Sequence, residues 1–331
     1  MDKAIFYSAS LANGPDDGIN ILEYNSGRIR LLDKVRWAQL RYLILSPDRK
    51  YLYAAVRNSS HYLGDGEVSA FAVGPDGGLN YLNSLPSGGR LNCHLCLYQD
   101  FLFCANYLDG TFAAFRLNND GSMHERTRLI SHAALGLGES HPHCVMVTPD
   151  QCFLSVVDLG LDRIFLYPLD AERGVAAQPA NVRKVPAGSG PRHLIFNHSA
   201  SVAYVNYQLT NRVAVFACKD GELAPLQELS TLPDGFTEYS ETAALKISPD
   251  GSTLLVSNRG HDSLAAYLIY PDGTLSMTGF IPTGRTPWDF TFTPDGNSIV
   301  TACSGSNFLH IRDAGREYTI AISAPVCLAV P

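Results

Sequence analysis

The sequence has no long apolar run, and no stretch approaches the about 20 consecutive apolar residues that a membrane-spanning helix needs. Residues 1–8 also lack the apolar core of a secretory signal peptide. The eight cysteines follow no disulfide-framework spacing, and the one Cys-x-x-Cys, Cys93 to Cys96, lies in a strand-like segment. Residues three apart in a strand point to opposite faces, which argues against a zinc or redox pair. We therefore expect a cytoplasmic protein with reduced cysteines and no membrane partner.

Positive charge is scarce, and lysine is especially scarce. The chain carries 25 Lys and Arg against 32 Asp and Glu, a net charge of −7, and only six of the 25 are lysines. Such a chain is not expected to bind nucleic acid, because phosphates require a basic surface. The sequence has no Gly-x-Ser-x-Gly, Gly-x-x-x-x-Gly-Lys or His-Glu-x-x-His motif. Zinc or calcium ligand spacing is absent too, so neither a metal nor another cofactor is predicted.

No segment sustains a helical apolar stripe, and short apolar segments between Pro-Asp, Asn-Gly or Gly-Gly turns fill the chain instead. One unit recurs: an apolar strand, a Ser/Thr-Pro-Asp turn, two further apolar strands, then an Asp-Gly turn. Its first-turn marker recurs every 45–52 residues, at Asp48, about Asp100, Asp150, Ser199, Asp250 and Asp295. Residues 327–330 and 3–7 supply the first and second strands of a seventh copy. The sequence therefore predicts an all-β fold, a seven-bladed β-propeller forming one domain over residues 1–331, closed by pairing of the N- and C-terminal strands in one blade.

The repeat also predicts the place of a site, because first strands line the central channel and equivalent positions meet at one level. Seven residues before the turn marker stand Arg41, His143, Arg192, Ala243 and Trp288, with Cys93 and Val326 aligned to them. Nine residues after it, at the end of the second strand, stand Arg57, Leu159, Gln208, Arg259 and Ser304, with Tyr107 aligned to them. Packing positions in repeats tend to agree across copies, and these differ. We therefore expect a site at the channel mouth, and its arginines favour a small anionic ligand.

A purely structural role is the competing interpretation. Arg57 and Arg259 could be struts between blades, paired with nearby carboxylates such as Asp262 or Glu67. A single buried histidine such as His143 is commonly a hydrogen-bonded core residue. Because other His and Arg residues fall on adjacent first strands, the site interpretation is preferred.

The most specific segments are Ser140-His141-Pro142-His143, 158–165, 188–193 and 257–263, with weaker ones at 106–107 and 286–290. In these segments, and across nearly its whole length, the chain resembles the seven-bladed lactonase family, which includes bacterial 6-phosphogluconolactonases and fungal carboxy-cis,cis-muconate cyclases. The resemblance implies a funnel site with a histidine, two arginines and a glutamate. The histidine corresponds to His143 and the arginines to Arg192 and Arg259.

Two positions depart from the family pattern. Gln208 stands where the family usually has the Glu of Val-Asn-Glu-Leu, and Trp288 stands where it commonly has an Arg. A glutamine forms hydrogen bonds but does not accept a proton, so a mechanism with that Glu as base does not carry over. Loss of the Arg favours a less anionic or more extended substrate.

We expect a hydrolase that opens a sugar-acid lactone, similar to 6-phosphogluconolactonase, with a small anionic lactone as its partner. The candidate catalytic residues are His143, Arg192, Arg259 and Gln208, and the candidate substrate-binding residues are Arg41, Arg57, His141, His193, Trp288 and Tyr107. His143 is the candidate general base, and the two catalytic arginines bind the anionic group and the oxyanion. Two alternatives stay open: a cycloisomerase that closes a muconate-type dicarboxylate, and a non-catalytic propeller that binds a ligand or a protein. The sequence does not predict an oligomeric state.

Overall fold

A computed structural model describes residues 3–12, 14, 16–25, 28–57, 65–313 and 315–330. These residues form antiparallel strands in seven sheets. Two one-turn 3₁₀ helices, Ala133–Leu135 and Ser304–Ser306, are the only helices in this part of the chain. Within the same residues, neither helix is long enough to cross a membrane.

The strands follow one another from the inside of each blade to its outside. The chain starts with β1 (Lys3–Ser10), β2 (Gly18–Asn25) and β3 (Arg28–Val35). Blade 1 contains β4 (Leu40–Leu45), β5 (Tyr51–Arg57), β6 (Gly66–Val73) and β7 (Leu79–Pro86). Blade 2 contains β8 (Asn92–Tyr98), β9 (Phe101–Asn106), β10 (Thr111–Leu117) and β11 (Met123–Ser131). Blade 3 contains β12 (Pro142–Val147), β13 (Phe153–Asp158) and β14 (Arg163–Asp170), with an outer edge split into β15 (Gly174–Val175) and β16 (Asn181–Lys184).

The remaining blades repeat the four-stranded pattern. Blade 4 contains β17 (Pro191–Phe196), β18 (Val202–Tyr207), β19 (Arg212–Lys219) and β20 (Glu222–Ser230). Blade 5 contains β21 (Glu241–Ile247), β22 (Thr253–Arg259), β23 (Ser263–Ile269) and β24 (Leu275–Pro282). Blade 6 contains β25 (Pro287–Phe292), β26 (Ser298–Cys303), β27 (Phe308–Asp313) and β28 (Arg316–Ala321).

The seventh blade joins the two ends of the chain. The last strand, β29 (Pro325–Ala329), runs antiparallel to β1, with Tyr7 opposite Ala329 and Ala9 opposite Cys327. The sheet order is β29-β1-β2-β3. Each innermost strand contacts the next, and β29 contacts both β25 and β4, so the ring is closed. The predicted seven-bladed propeller and its closure are therefore confirmed. Because the two ends of the chain pair within one blade, neither end leaves an incomplete sheet with an unpaired edge.

Hydroxyl and aspartate side chains build the turns between first and second strands. Ser46 Oγ donates to Asp48 Oδ1 at 2.7 Å and accepts from Tyr51 N at 3.0 Å. The same hydroxyl–aspartate pairing recurs in the turns at Thr148–Asp150, Ser248–Asp250 and Thr293–Asp295. The prediction at Asp100 is only partly correct. A turn joins β8 and β9 there, but it has two residues, and the Asp100 carboxylate pairs with Arg116 rather than with a hydroxyl of the turn.

The core lies between blades rather than within one. Seven clusters of buried apolar side chains in the described residues each join two neighbouring blades. In three interfaces a buried tyrosine of a second strand donates its hydroxyl to the glycine carbonyl of the next blade's outer turn. These bonds join Tyr7 to Gly77, Tyr53 to Gly121 and Tyr204 to Gly273, each at 2.9 Å. Such repeated contacts hold the blades at matched angles around the channel.

Candidate active site

Every innermost strand contains a β-bulge close to its start. The ladder skips Arg41, Cys93, His143, Arg192, Ala243 with Ala244, Trp288 and Val326. These are the positions that lie seven residues before the predicted turn marker, together with the two aligned to them. A bulged residue is released from the alternating directions of the strand, and bulges commonly redirect side chains beside active sites. The structure therefore gives the ring of varied residues a common local geometry at one end of the channel.

Aromatic rings surround His143 at this end. Its ring lies edge-on to Tyr107, with centroids 5.7 Å apart, and edge-on to His193 at 5.3 Å. Tyr107 in turn stacks on His141 at 4.3 Å, and His141 Nδ1 bonds the Tyr107 carbonyl at 2.9 Å. Only 8% of the surface of His143 is exposed, and its Nδ1 bonds no other described residue. A buried ring nitrogen without a hydrogen-bond partner is able to accept a proton or a hydrogen bond from a ligand.

The electrostatics of the site keep the rings of His143, His193 and His94 neutral. Burial lowers the pKa of His143 well below 6.5, and the charge of Arg192 lowers it further. The same two causes lower the pKa of His193. The ring centroids of His94 and His193 are 5.1 Å apart, and burial lowers the pKa of His94 to about 3. At neutral pH the rings of His143, His193 and His94 are therefore uncharged.

Arg192 is a buried cation with neutral partners. Its Nη1 donates to the Ala243 carbonyl at 2.6 Å and lies 3.1 Å from His193 Nε2. Its Nε has no hydrogen-bond partner among the described residues. Burial and the like charge of Arg259 lower the pKa of Arg192 to about 9, so the side chain stays protonated at neutral pH. A buried, protonated guanidinium with an unused N–H is a donor for an anion or a developing oxyanion.

Arg259 is held between a carboxylate and an indole. Its Nη2 donates to Glu241 Oε2 at 3.0 Å, and its guanidinium carbon lies 4.6 Å from the centre of the Trp288 ring. Asp262, which the competing structural interpretation named as a possible partner, accepts from the backbone N–H of Thr286 instead. Strand register explains the difference, since Glu241 at the start of β21 lies directly opposite Arg259 at the end of β22.

A buried polar network supports the segment that carries His141 and His143. Asp158 accepts hydrogen bonds from Ser140 Oγ at 2.6 Å and from His141 N at 2.8 Å. His132 Nδ1 bonds the same carboxylate at 2.8 Å, and Leu161 N donates to it at 3.0 Å. Asp158 and His132 have no exposed surface, so this network fixes the loop from beneath.

Three other candidates, Arg41, Arg57 and Gln208, lie at the predicted positions of the repeat. Arg41 is a bulged residue of β4, and its charge, after that of Arg192, opposes the burial that raises the pKa of Cys93 to about 12. Arg57 ends β5 and is buried. Gln208 follows β18, where its backbone N–H donates to Gly190 O at 2.8 Å. Among the described residues its side-chain amide has no recorded hydrogen bond, and its proposed role stays a prediction.

The argument from strand alternation at Cys93 and Cys96 is wrong. Cys93 is the bulged residue of β8, so the alternation restarts there and both sulfurs pack against the same apolar cluster between blades 2 and 3. Both cysteines are free thiols. No group of three or more His, Cys, Asp or Glu side chains in the described part of the chain is arranged to hold a metal ion.

Sequence reasoning missed two features of the site, the Glu241 carboxylate and the network around Asp158. Glu241 lies two residues before the bulge position Ala243, so a wider window around each station would have included it. His132 and Asp158 are 26 residues apart in neighbouring blades, and no local pattern joins them.

Comparison with known proteins agrees with this architecture. The family model described as "Lactonase, 7-bladed beta-propeller" matches residues 5–315. A 6-phosphogluconolactonase of Bacillus subtilis is 28% identical and covers 99% of this chain and 98% of its own length. A second, from Formosa agariphila, is 30% identical over 88% of this chain and 87% of its own. The structure of the periplasmic gluconolactonase PpgL of Pseudomonas aeruginosa superposes with a TM-score of 0.92 at 28% identity, covering 99% of both chains. The chain therefore belongs to the seven-bladed β-propeller lactonase family.

Proposed function

We propose that the protein hydrolyses a sugar-acid lactone at the channel mouth. The observation that carries the proposal is that a neutral, buried His143 lies within electrostatic range of the cations Arg192 and Arg259, at one end of a closed propeller. Family membership and relatives named as 6-phosphogluconolactonases and a gluconolactonase support the same reaction class.

His143 is the proposed general base. Its neutral ring accepts a proton from water as the water oxygen attacks the lactone carbonyl, and one C–O bond forms while the carbonyl electrons move to oxygen. The oxyanion that results is stabilised by Arg192, whose buried Nε has no other described partner. As the ring C–O bond breaks, the imidazolium returns its proton to the leaving alkoxide. Hydrolysis is then balanced, since one water is consumed and one hydroxy acid is formed.

The low pKa of His143 is compatible with this role. In the free protein, protonation is unfavourable because the ring is buried beside a cation. When the oxyanion develops, its negative charge offsets the new imidazolium as well as the arginines. The site therefore disfavours the charged histidine until the transition state, which is the differential stabilisation that accelerates a chemical step.

Substitution of His143 tests the proposal. His143→Ala is expected to lower the enzymatic rate on glucono-δ-lactone and its 6-phosphate at least about 100-fold, measured as acid release after subtraction of spontaneous opening. His310→Ala is the matched control, because His310 lies on β27 and pairs with Glu317 away from the mouth. Retention of the wild-type rate within threefold in His143→Ala would remove the base role.

The same two lactone substrates also distinguish between the more specific activities. Preference for the phosphorylated lactone would assign 6-phosphogluconolactonase activity, and preference for the free lactone would assign gluconolactonase activity. If the wild type opens neither lactone but changes the ultraviolet absorbance of a carboxymuconate, the ring-closing alternative replaces lactone hydrolysis. The cytoplasmic location also stays a prediction, since one structural relative is described as periplasmic.

A further inference from the structure

The two buried arginines of the mouth differ in how their charge is balanced. The described hydrogen-bond partners of Arg192 are a backbone carbonyl and a histidine whose pKa is low, so nothing in direct contact neutralises it. Arg259 instead forms an ion pair with Glu241 at 3.0 Å, and its guanidinium lies over Trp288. The ion pair and the indole face therefore already engage the Arg259 guanidinium.

Glu241 itself faces the mouth. Its side chain keeps 21% of its surface exposed, although it is paired with Arg259. The carboxylate also lies within electrostatic range of Tyr107 from blade 2, and it adds to the burial that raises the pKa of that phenol. Glu241 belongs to blade 5, so its charge acts across the mouth. A substrate that binds against His143 and Tyr107 therefore meets this carboxylate on its other side.

We propose that Glu241 determines specificity on the Arg259 side of the mouth, where it selects the hydroxyl groups of a lactone and disfavours a second anionic group such as a phosphate. The proposal rests on the lactone hydrolysis proposed above. A carboxylate is an acceptor-only group that pairs well with hydroxyl donors, and it repels phosphate oxygens at short range. Because Arg259 is already paired, a phosphate on this side would have to break an existing ion pair or approach a like charge.

The test compares two substrates that differ only in the phosphate. The ratio of kcat/KM for 6-phosphoglucono-δ-lactone to that for glucono-δ-lactone is measured for the wild type and Glu241→Gln. The glutamine keeps an acceptor for Arg259 but removes the charge, so we expect the ratio to rise about tenfold, equivalent to about 1.4 kcal/mol. Glu139→Gln is the matched control. Glu139 is also close to the mouth, since its Oε1 lies 3.3 Å from His141 Nε2, and its side chain is 86% exposed. Its substitution is expected to change the ratio less than twofold.

A second pair of variants tests the same idea through the partner of Glu241. Arg259→Met leaves the Glu241 carboxylate without its ion-pair partner, so the ratio is expected to fall. When Arg259→Met is combined with Glu241→Gln, the ratio should return to at least the wild-type value, and a ratio that stays low in this double variant would overturn the proposal, because Arg259 itself would then bind the phosphate. A rise in the ratio that is equal in Glu139→Gln and Glu241→Gln would also overturn it, since mouth charge in general would then be responsible.

Binding of the products keeps the test independent of turnover. Calorimetric affinities for gluconate and 6-phosphogluconate should follow the same pattern, with the phosphorylated product gaining about tenfold in Glu241→Gln. If the wild type opens neither lactone but the product affinities shift as expected, lactone hydrolysis fails while the specificity role stands. If turnover is normal and neither ratio moves, lactone hydrolysis stands and Glu241 only holds Arg259.

Discussion

Asp158→Ala removes the acceptor of four hydrogen bonds, and Asp158 itself has no exposed surface. The donors that lose their partner are His132 Nδ1, Ser140 Oγ and the backbone N–H groups of His141 and Leu161, at 2.6–3.0 Å. His132 is fully buried and also bonds Tyr167 at 2.9 Å through its other ring nitrogen, so it has no route to bulk water. The substitution therefore creates several unsatisfied buried donors at once.

The expected loss follows from these groups. One buried donor without a partner costs about 1–3 kcal/mol. The four costs do not add fully, because Ser140 and His141 border the mouth and water can reach them after the change. Breaking a buried charged network by removing one member typically costs about 3–5 kcal/mol, and we expect a value in this range. At about 2 °C per kcal/mol for a large domain, the melting temperature should fall by about 6–10 °C.

Calorimetric unfolding and lactone turnover measure the two consequences. We expect kcat to fall at least about tenfold, because the loop that carries His141 and His143 loses its support. Asp158→Asn is the matched comparison: its amide keeps one oxygen acceptor, and His132 and Ser140 can reverse their donor and acceptor roles, so it should lose less than half as much stability. A melting temperature for Asp158→Ala within 2 °C of the wild type would refute the reasoning.

The acid dependence of this network gives a second measurement. Burial raises the pKa of Asp158, but hydrogen bonds from His132 and Ser140 outweigh it and hold the pKa below 3.8. A carboxyl whose pKa is depressed by folding stabilises the protein above its unfolded pKa, and that contribution is lost as the pH falls through the folded pKa. The difference in unfolding free energy between wild type and Asp158→Asn should therefore be constant at neutral pH and shrink below about pH 3.8.

Three further predictions concern other parts of the structure. In an NMR titration the His143 ring should protonate only well below pH 6.5, and Arg192→Met should move that midpoint upward by removing the neighbouring charge; an unchanged midpoint would contradict the assignment. Deletion of residues 325–331 removes β29 and exposes the inner edge of β1, so the variant should aggregate in light scattering, whereas a monodisperse, fully folded product would show that closure is dispensable. Tyr53→Phe leaves the Gly121 carbonyl without its buried donor and should cost about 1 kcal/mol, while Tyr51→Phe, which removes an exposed bond of 3.3 Å, should cost less than half of that.

The fold could be predicted from the sequence because its determinants are local. The aspartate of a turn such as Ser46-Pro47-Asp48 bonds groups within a few residues, so it leaves a mark at every repeat. The spacing of those marks predicted seven blades and the closure through β1 and β29. Where the turn sequence departs from this pattern, the predicted turn was less accurate. At Asp100 the turn is shorter, and the aspartate pairs with Arg116 rather than with the turn.

Partners within the site could not be predicted with the same success, because they depend on register. The competing structural interpretation named Asp262, which is close in sequence, as a possible partner of Arg259, but the antiparallel ladder sets Arg259 opposite Glu241, 18 residues away. The Asp158–His132 pair crosses from blade 3 to blade 2 and has no spacing rule at all. Sequence repeats therefore identified the bulged positions of the innermost strands, whereas the hydrogen bonds and charges around them required coordinates.

The bulges explain why one position of the repeat can vary without harm to the fold. Val326 at this position packs with the apolar cluster between the last blade and blade 1, whereas Arg192 at the same position is a buried cation beside His193. Both are skipped by their ladders, so neither one contributes a register pair to its sheet. We therefore expect the side chain at this position to be limited mainly by its immediate neighbours rather than by the sheet. If this reasoning is correct, substitutions at bulged positions change ligand preference more than stability, and substitutions at ladder-paired positions such as Leu194 do the reverse.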